Sequence, residues 1–308
     1  MPARPEESAA VELFLETLVR GLGTGSVYAL LGLGFVIIYK STQVVNFAQP
    51  SLMILGAYFA SYFAVDRGVA FWLAVPLAML VTAVVGAITE RIAMRPMVGE
   101  PVFSAAMVTV GVFIVLTVVA GDLIGTQIRQ VGDPWGLRTL TIGSLDLFQS
   151  DIARIVFATV VVVALLAFFR YSRYGLAMRA TAFDQETALA VGVRVGRMFG
   201  LSWAISGGLA AVAGIFVGGG GGGVTTTTQL VALKALPAII LGGLDSIGGA
   251  VIGGLAVGLL EQFTKSYQPG AAPWLGQGFD QVVPYILMLL VLLVRPYGLF
   301  GTEEVERV

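Results

Sequence analysis

Two clusters of polar residues interrupt otherwise apolar sequence. One is Asn46, Gln49 and Ser51 in VVNFAQPSLMILGAYFA, and the other is Lys234, Pro237 and Asp245 around a glycine-rich stretch. Amides, hydroxyls and charges at membrane depth can hold a small polar solute, because backbone groups freed at a helix break offer hydrogen bonds that lipid cannot. The clusters occupy opposite halves of the chain, and together they read as a permeation path. Taken singly, Asn46 and Gln49 also read as boundary residues bonded to a neighbouring turn. Bond-making chemistry is scarcely available. The chain has no cysteine and no histidine, which removes thiolate nucleophiles, zinc sites and imidazole bases. Lys40, Lys234 and Lys265 follow Tyr39, Leu233 and Thr264, so none completes the Gly-Lys of a phosphate-binding loop. An intramembrane aspartyl protease needs two facing aspartates, one in a Gly-x-Gly-Asp setting, and the run from Gly242 to Asp245 does not supply it. No catalytic residue, cofactor or metal is expected.

The elements that position these residues are membrane spans. Of 308 residues, 57% are hydrophobic and only 12% charged, against about 25% in soluble domains. The expected fold is an all-α, polytopic membrane bundle in a single permease domain over 1–308, with about eight spans, some short or broken. Clear spans of about 20 apolar residues run Gly21–Tyr39, Val44–Val65, Val69–Thr89, Val102–Ala120, Ile152–Phe169, Met198–Val217 and, shorter, Val282–Val294. Residues 230–262 read as a hairpin of short or broken helices turning near Leu244, Asp245 and Ser246, for seven to nine crossings in all. Glu261 reads as a solvated helix end beside Gln262 and Lys265. Residues 8–20 place Glu12, Glu16 and Arg20 on one face, as an interfacial helix or as an extension of the first span. The acidic N-terminus does not read as a signal peptide. Residues 121–151 mix charged and apolar side chains as an external cap. Gly218 to Gly223 with Thr225 to Thr228 reads as a flexible external loop.

Forty glycines are tolerable in membrane helices because small residues let helices approach closely. Gly21 and Gly25, Gly214 and Gly218, Gly249 and Gly253, and Gly254 and Gly258 each recur four apart. They place packing faces on their helices.

The loop 170–197 carries Arg170, Arg173, Arg179, Arg194 and Arg197 against Asp184 and Glu186. So many arginines between two apolar spans are retained on the cytoplasmic side. By the same rule Arg91, Arg95 and the tail after Arg295 are cytoplasmic. Counting back then puts Lys40 inside, Asp66 outside and the N-terminus outside. Net charge is −1, which gives no reason to expect a nucleic-acid partner. The middle of the loop, ATAFDQETALAVG, predicts one short helix outside the bilayer, and such a helix needs a partner.

Four passages resemble the permease subunits of bacterial branched-chain amino acid ABC importers: residues 21–60, 175–195, 235–261 and the terminal RPYGLFG at 295–301. The resemblance implies a multi-pass protein of the bacterial inner membrane, without its own nucleotide site. It further implies a second homologous permease, two ABC ATPases on the cytoplasmic side and an extracytoplasmic substrate-binding protein. It also implies a coupling helix over Ala180 to Gly192, where Arg179, Asp184, Glu186, Ala188 and Gly192 serve the ATPase contact. Glu186, Ala188 and Gly192 keep the spacing of the importer Glu-Ala-Ala, three residues, Gly pattern, while Thr187 replaces the middle alanine and no Ile-x-Leu-Pro follows. Gln49 and Pro50 stand where the family usually has His-Gly. Relatives carry branched-chain or other amino acids, urea or aromatic acids. The competing reading is a stand-alone secondary transporter or channel, which would need coupling carboxylates within the spans.

Overall fold

The computed structural model describes residues 5–301. Its first helix, α1 (Pro5–Thr42), runs 38 residues without a break. The face bearing Glu12, Glu16 and Arg20 is therefore continuous with the first span. After an irregular link, α2 (Gln49–Ser61) begins on Pro50, whose missing N–H costs nothing in a first helical turn. It ends in a π-turn, Tyr62–Asp66. Next come α3 (Phe71–Thr89), extended by a π-turn at Glu90–Met94, and α4 (Val102–Ile124). The strands β1 (Thr139–Ile142) and β2 (Leu145–Phe148) pair antiparallel before α5 (Gln149–Tyr171). Two short helices, α6 (Arg173–Phe183) and α7 (Gln185–Ala190), lead into α8 (Val195–Gly218). A 3-10 segment, Thr226–Lys234, continues as α9 (Ala235–Gly242), and α10 (Ile247–Ala271) and α11 (Val283–Val294) complete the bundle.

Among the described residues, six helices are long and apolar enough to cross a membrane, and Thr226–Gly242 and Phe279–Val294 are shorter apolar helices. Their burial divides them. The first and the α8 span are mostly covered by protein, whereas α4 and α5 expose most of their apolar surface, as lipid-facing spans do. Helix α2 is short and almost wholly buried, lying against α8, α3 and α4. The core thus consists of α1, α2 and α8, wrapped by helices that expose more of their surface.

The glycines explain how closely the core helices lie. A β-carbon on Gly258 would overlap the backbone of Gly25, and one on Gly254 would overlap Ala29. One on Gly249 would meet Gly242, and one on Gly253 would meet Ala238. Gly249, Gly253, Gly254 and Gly258 therefore face two neighbours, α1 and α9, from a single helix. Gly214 faces Met53 across the α2–α8 contact in the same way. With no hydrophobic drive between spans in lipid, this close approach supplies the packing that holds them.

Hydrogen bonds sort the ends of the helices into two sets. At one end Arg95 donates to the Gly196 carbonyl at 2.6 Å, Gln185 to the Ser41 carbonyl at 3.4 Å and Lys40 to the Asp245 carbonyl at 3.1 Å. At the other, Arg129 pairs with Asp66, and Glu16 accepts the Asp146 amide at 3.1 Å. The first set holds Arg91, Arg95, Arg170, Arg173, Arg179, Arg194, Arg197 and Arg295 and is the arginine-rich end.

Two expectations are corrected here. The six-glycine run is pinned rather than loose: Val224 is buried and bridges Arg129, Asp133 accepts the Gly220 amide at 3.2 Å, and Thr225 to Thr228 form a reciprocal cap on the 3-10 segment. The cap residue Trp135 closes over it, packed against Phe71 and Phe216. The hairpin does turn between Gly242 and Ile247, but its second arm is a full 25-residue helix.

Candidate functional site

The loop between α5 and α8 is two helices, not the single helix expected over Ala180 to Gly192. Asp184, in an extended conformation, ends α6 and caps α7, accepting the amides of Glu186 at 2.9 Å and Thr187 at 3.1 Å. A short acceptor in that position competes with helix continuation and satisfies otherwise orphaned amides. The Thr187 hydroxyl donates to the other carboxylate oxygen at 2.5 Å, and these bonds hold the Asp184 carboxyl below the usual carboxylate range. Gly192 ends α7 at φ +86°, with open space around it. Ala188 is buried against Val195 and Phe199, which fastens α7 to α8.

What this loop presents outward is apolar. Phe183 is 94% exposed and Val191 74%, with Leu189, Tyr174 and Leu176 also exposed around Glu186 and Arg179. Exposed apolar clusters of this kind are commonly found at interaction sites.

The first polar cluster is closed within the protein. Asn46, Gln49 and Ser51 are fully buried. Asn46 accepts the Ala48 amide at 3.0 Å and donates to Gln49 Oε1 at 3.3 Å; Ser51 donates to the Ala48 carbonyl at 2.8 Å. Gln49 reaches α8, where the Ser206 hydroxyl donates to it at 2.7 Å. Gly34 on α1 makes this possible, since a β-carbon there would overlap the Gln49 amide. These groups bond a neighbouring turn and bridge three helices.

The second cluster is divided. Lys234, at the junction of the 3-10 segment and α9, pairs with Glu261 at 2.6 Å, and the Tyr28 hydroxyl donates to the other Glu261 oxygen at 2.6 Å. Glu261 is only 6% exposed, within α10, so the reading of it as a solvated helix end is wrong. Its signal was an acid in an apolar helix 27 residues after an equally isolated lysine. Tyr28 carried no such signal. Asp245 lies at the arginine-rich end, lining a cavity of about 920 Å³ with Lys40, Gln43, Arg179, Phe183 and Tyr297. The five pathway candidates therefore lie in three places: a core network, a mid-bundle ion pair and an end cavity next to the two-helix loop.

The terminal RPYGLFG folds back on the hairpin. The Leu299 and Phe300 amides donate to the carbonyls of Leu241 at 2.8 Å and Gly242 at 3.1 Å, satisfying the end of α9. Sequence reasoning assigned no role to this tail.

The profile of a family described as branched-chain amino acid transport system, permease component, matches residues 17–292. The high-affinity branched-chain amino acid transport system permease protein LivH of Escherichia coli K12 is 31% identical over 318 residues, covering 96% of this chain and 98% of that one. The corresponding BraD of Pseudomonas aeruginosa is 31% identical with the same coverage. A probable branched-chain amino acid transport permease protein LivH of Methanocaldococcus jannaschii is 31% identical, covering 89% of this chain and 88% of its own. Among solved structures, PsaBC from Streptococcus pneumoniae in complex with Fab aligns over 92% of each chain at 14% identity, with a TM-score of 0.48. With a profile match spanning all but the ends, and relatives matched along nearly their whole length, this multi-pass membrane chain belongs to the branched-chain amino acid transport permease family.

Proposed function

We propose that the chain is the permease of a bacterial inner-membrane ABC importer for branched-chain amino acids or a related small solute, driven by ATPases that dock on the α6–α7 loop. The observation that carries this is the loop itself: in a member of this family, it holds bare apolar residues on a capped, fastened base. Arg179, Asp184, Glu186, Ala188 and Gly192 have different tasks there. Arg179 and Glu186 present charge to the ATPase, Asp184 and Gly192 set the start and end of α7, and Ala188 transmits its movement to α8. The arginine-rich end faces the cytoplasm, as retention of basic loops requires. A second permease copy or homologue completes the pathway, and an extracytoplasmic binding protein delivers the solute.

In this reading α2 and the broken segment Thr226–Gly242 shape the route, and Asn46, Gln49 and Ser51 fix α2 rather than contact cargo. Support comes from their fully internal bonding. The test is leucine uptake by proteoliposomes holding the permease, its genomic-neighbour ATPases and binding protein. Uptake should require ATP and disappear when residues 180–192 are deleted. Uptake that survives the deletion, or reagent reaching a cysteine placed at Thr187 from outside intact cells, would overturn the proposal.

A further inference from the structure

Tyr28, Lys234 and Glu261 come from three separate elements and meet inside the bundle. At 1.5 Å per residue, Tyr28 lies about 18 Å along α1 from Lys40, and Glu261 about 21 Å along α10 from its start. Lys234 stands where the 3-10 segment gives way to α9, three residues before Pro237. Val231, Ala238, Val257 and Leu287 pack around Tyr28, with Tyr285 and Asp280 as the further polar groups nearby. A buried ion pair there gains little stability over an apolar pair of equal volume, because desolvation offsets the attraction. Removing one partner is different, since it strands a charge in the bundle.

The segment Thr226–Gly242, called the arm here, has a second anchorage. The tail holds its C-terminal end through Leu299 and Phe300, and Lys40 holds the turn beyond it. That turn shares its cavity with Arg179, Ala182 and Phe183 of the two-helix loop. From its C-terminal end beside the loop, the arm runs back through α9 to Lys234 at its middle, where the ion pair holds it.

We propose that Tyr28, Lys234 and Glu261 form a latch that positions the arm for transport, closed in the state seen here and opened when the arm moves with the loop. The three are positioning residues and bind no solute. The proposal rests on the transport reading above, so one readout is independent of it: hydrogen exchange of the arm's amides in the full chain. Glu261→Gln should speed exchange in the arm at least tenfold while α8 stays unchanged; unchanged exchange in the arm overturns the latch.

In the reconstituted system, Glu261→Gln should lower maximal leucine uptake at least tenfold with KM held within twofold. The double variant Lys234→Met with Glu261→Leu removes both charges and keeps the volume. It should accumulate like the parent yet transport at least tenfold slower, with more ATP hydrolysed per solute. Parental maximal uptake by that variant would show the charges to be structural only and would sink the proposal. Should the charge variants fail to accumulate, Tyr28→Phe decides: a severalfold lower maximal rate at unchanged KM supports the latch, and parental kinetics overturn it. No ATP-driven uptake by the parent chain would count against the transport reading alone, leaving exchange to decide the latch.

Discussion

The α1–α10 seam and the α6–α7 loop differ in what their glycines and apolar residues do. In the seam, Gly25, Gly254 and Gly258 are needed because backbone occupies the space a side chain would take. In the loop, Gly192 has open space around it and is needed for its left-handed backbone. Apolar side chains are covered in the first and bare in the second. The same composition serves fixed packing in one place and an exposed apolar surface in the other.

The comparison fails first if the seam tolerates bulk. Gly258→Leu should cost at least about 3 kcal/mol, beyond ordinary overpacking, and abolish accumulation in the membrane. Accumulation at the parental level would refute the seam. Gly34→Ala should cost about 2 kcal/mol through its clash with Gln49, and much less in a Gln49→Ala background. Thermal unfolding in detergent measures that coupling, and additive losses would break it. In the loop, Phe183→Ala should leave unfolding within about 0.5 kcal/mol of the parent. It should weaken ATPase binding about 30-fold, as loss of an interface anchor worth about 2 kcal/mol does. An unchanged affinity would remove Phe183 from the interface.

Smaller effects sharpen the contrast. Gly192→Ala meets only backbone strain, about 1 kcal/mol, and hydrogen exchange should show it confined to α7. Asp184→Asn keeps a capping acceptor and should perturb α7 less than Asp184→Ala. Because its folded-state pKa is lowered, the Asp184 carboxylate stabilises α7 above the ordinary aspartate pKa. That stabilisation fades as pH falls through the lowered value. Protection of the Glu186 and Thr187 amides, taken relative to their intrinsic base-catalysed exchange, should therefore be constant around neutrality and fall only in acid; a loss of protection near neutral pH would refute the sign.

Most span positions, the hairpin turn and the packing glycines were legible because each follows from local pattern: apolar length, a glycine-bounded break, or four-residue spacing. The span expected over Val44–Val65 was not, since its first residues form an irregular link into the 13-residue α2. The division of the loop at Asp184 was less so, since alanine and leucine favour helix on both sides and one capping geometry decided against continuity. Glu261 was misread because its neighbours Gln262 and Lys265 suggested water. Its true partners, Tyr28 and Lys234, are brought to it only by the fold. Gln49 was recognised as unusual, but Ser206 and the vacant side-chain space at Gly34, which define its role, lie far away in the chain.

The bonds from Leu299 and Phe300 to the end of α9 concern the order in which the protein is made. The ribosome releases those residues after α11, so the carbonyls of Leu241 and Gly242 wait through synthesis of α10 and α11 for their final partners. A message cut short before Leu299 would yield a chain with α1 to α11 present and the hairpin left open at its arginine-rich end, a ready substrate for membrane quality-control proteases.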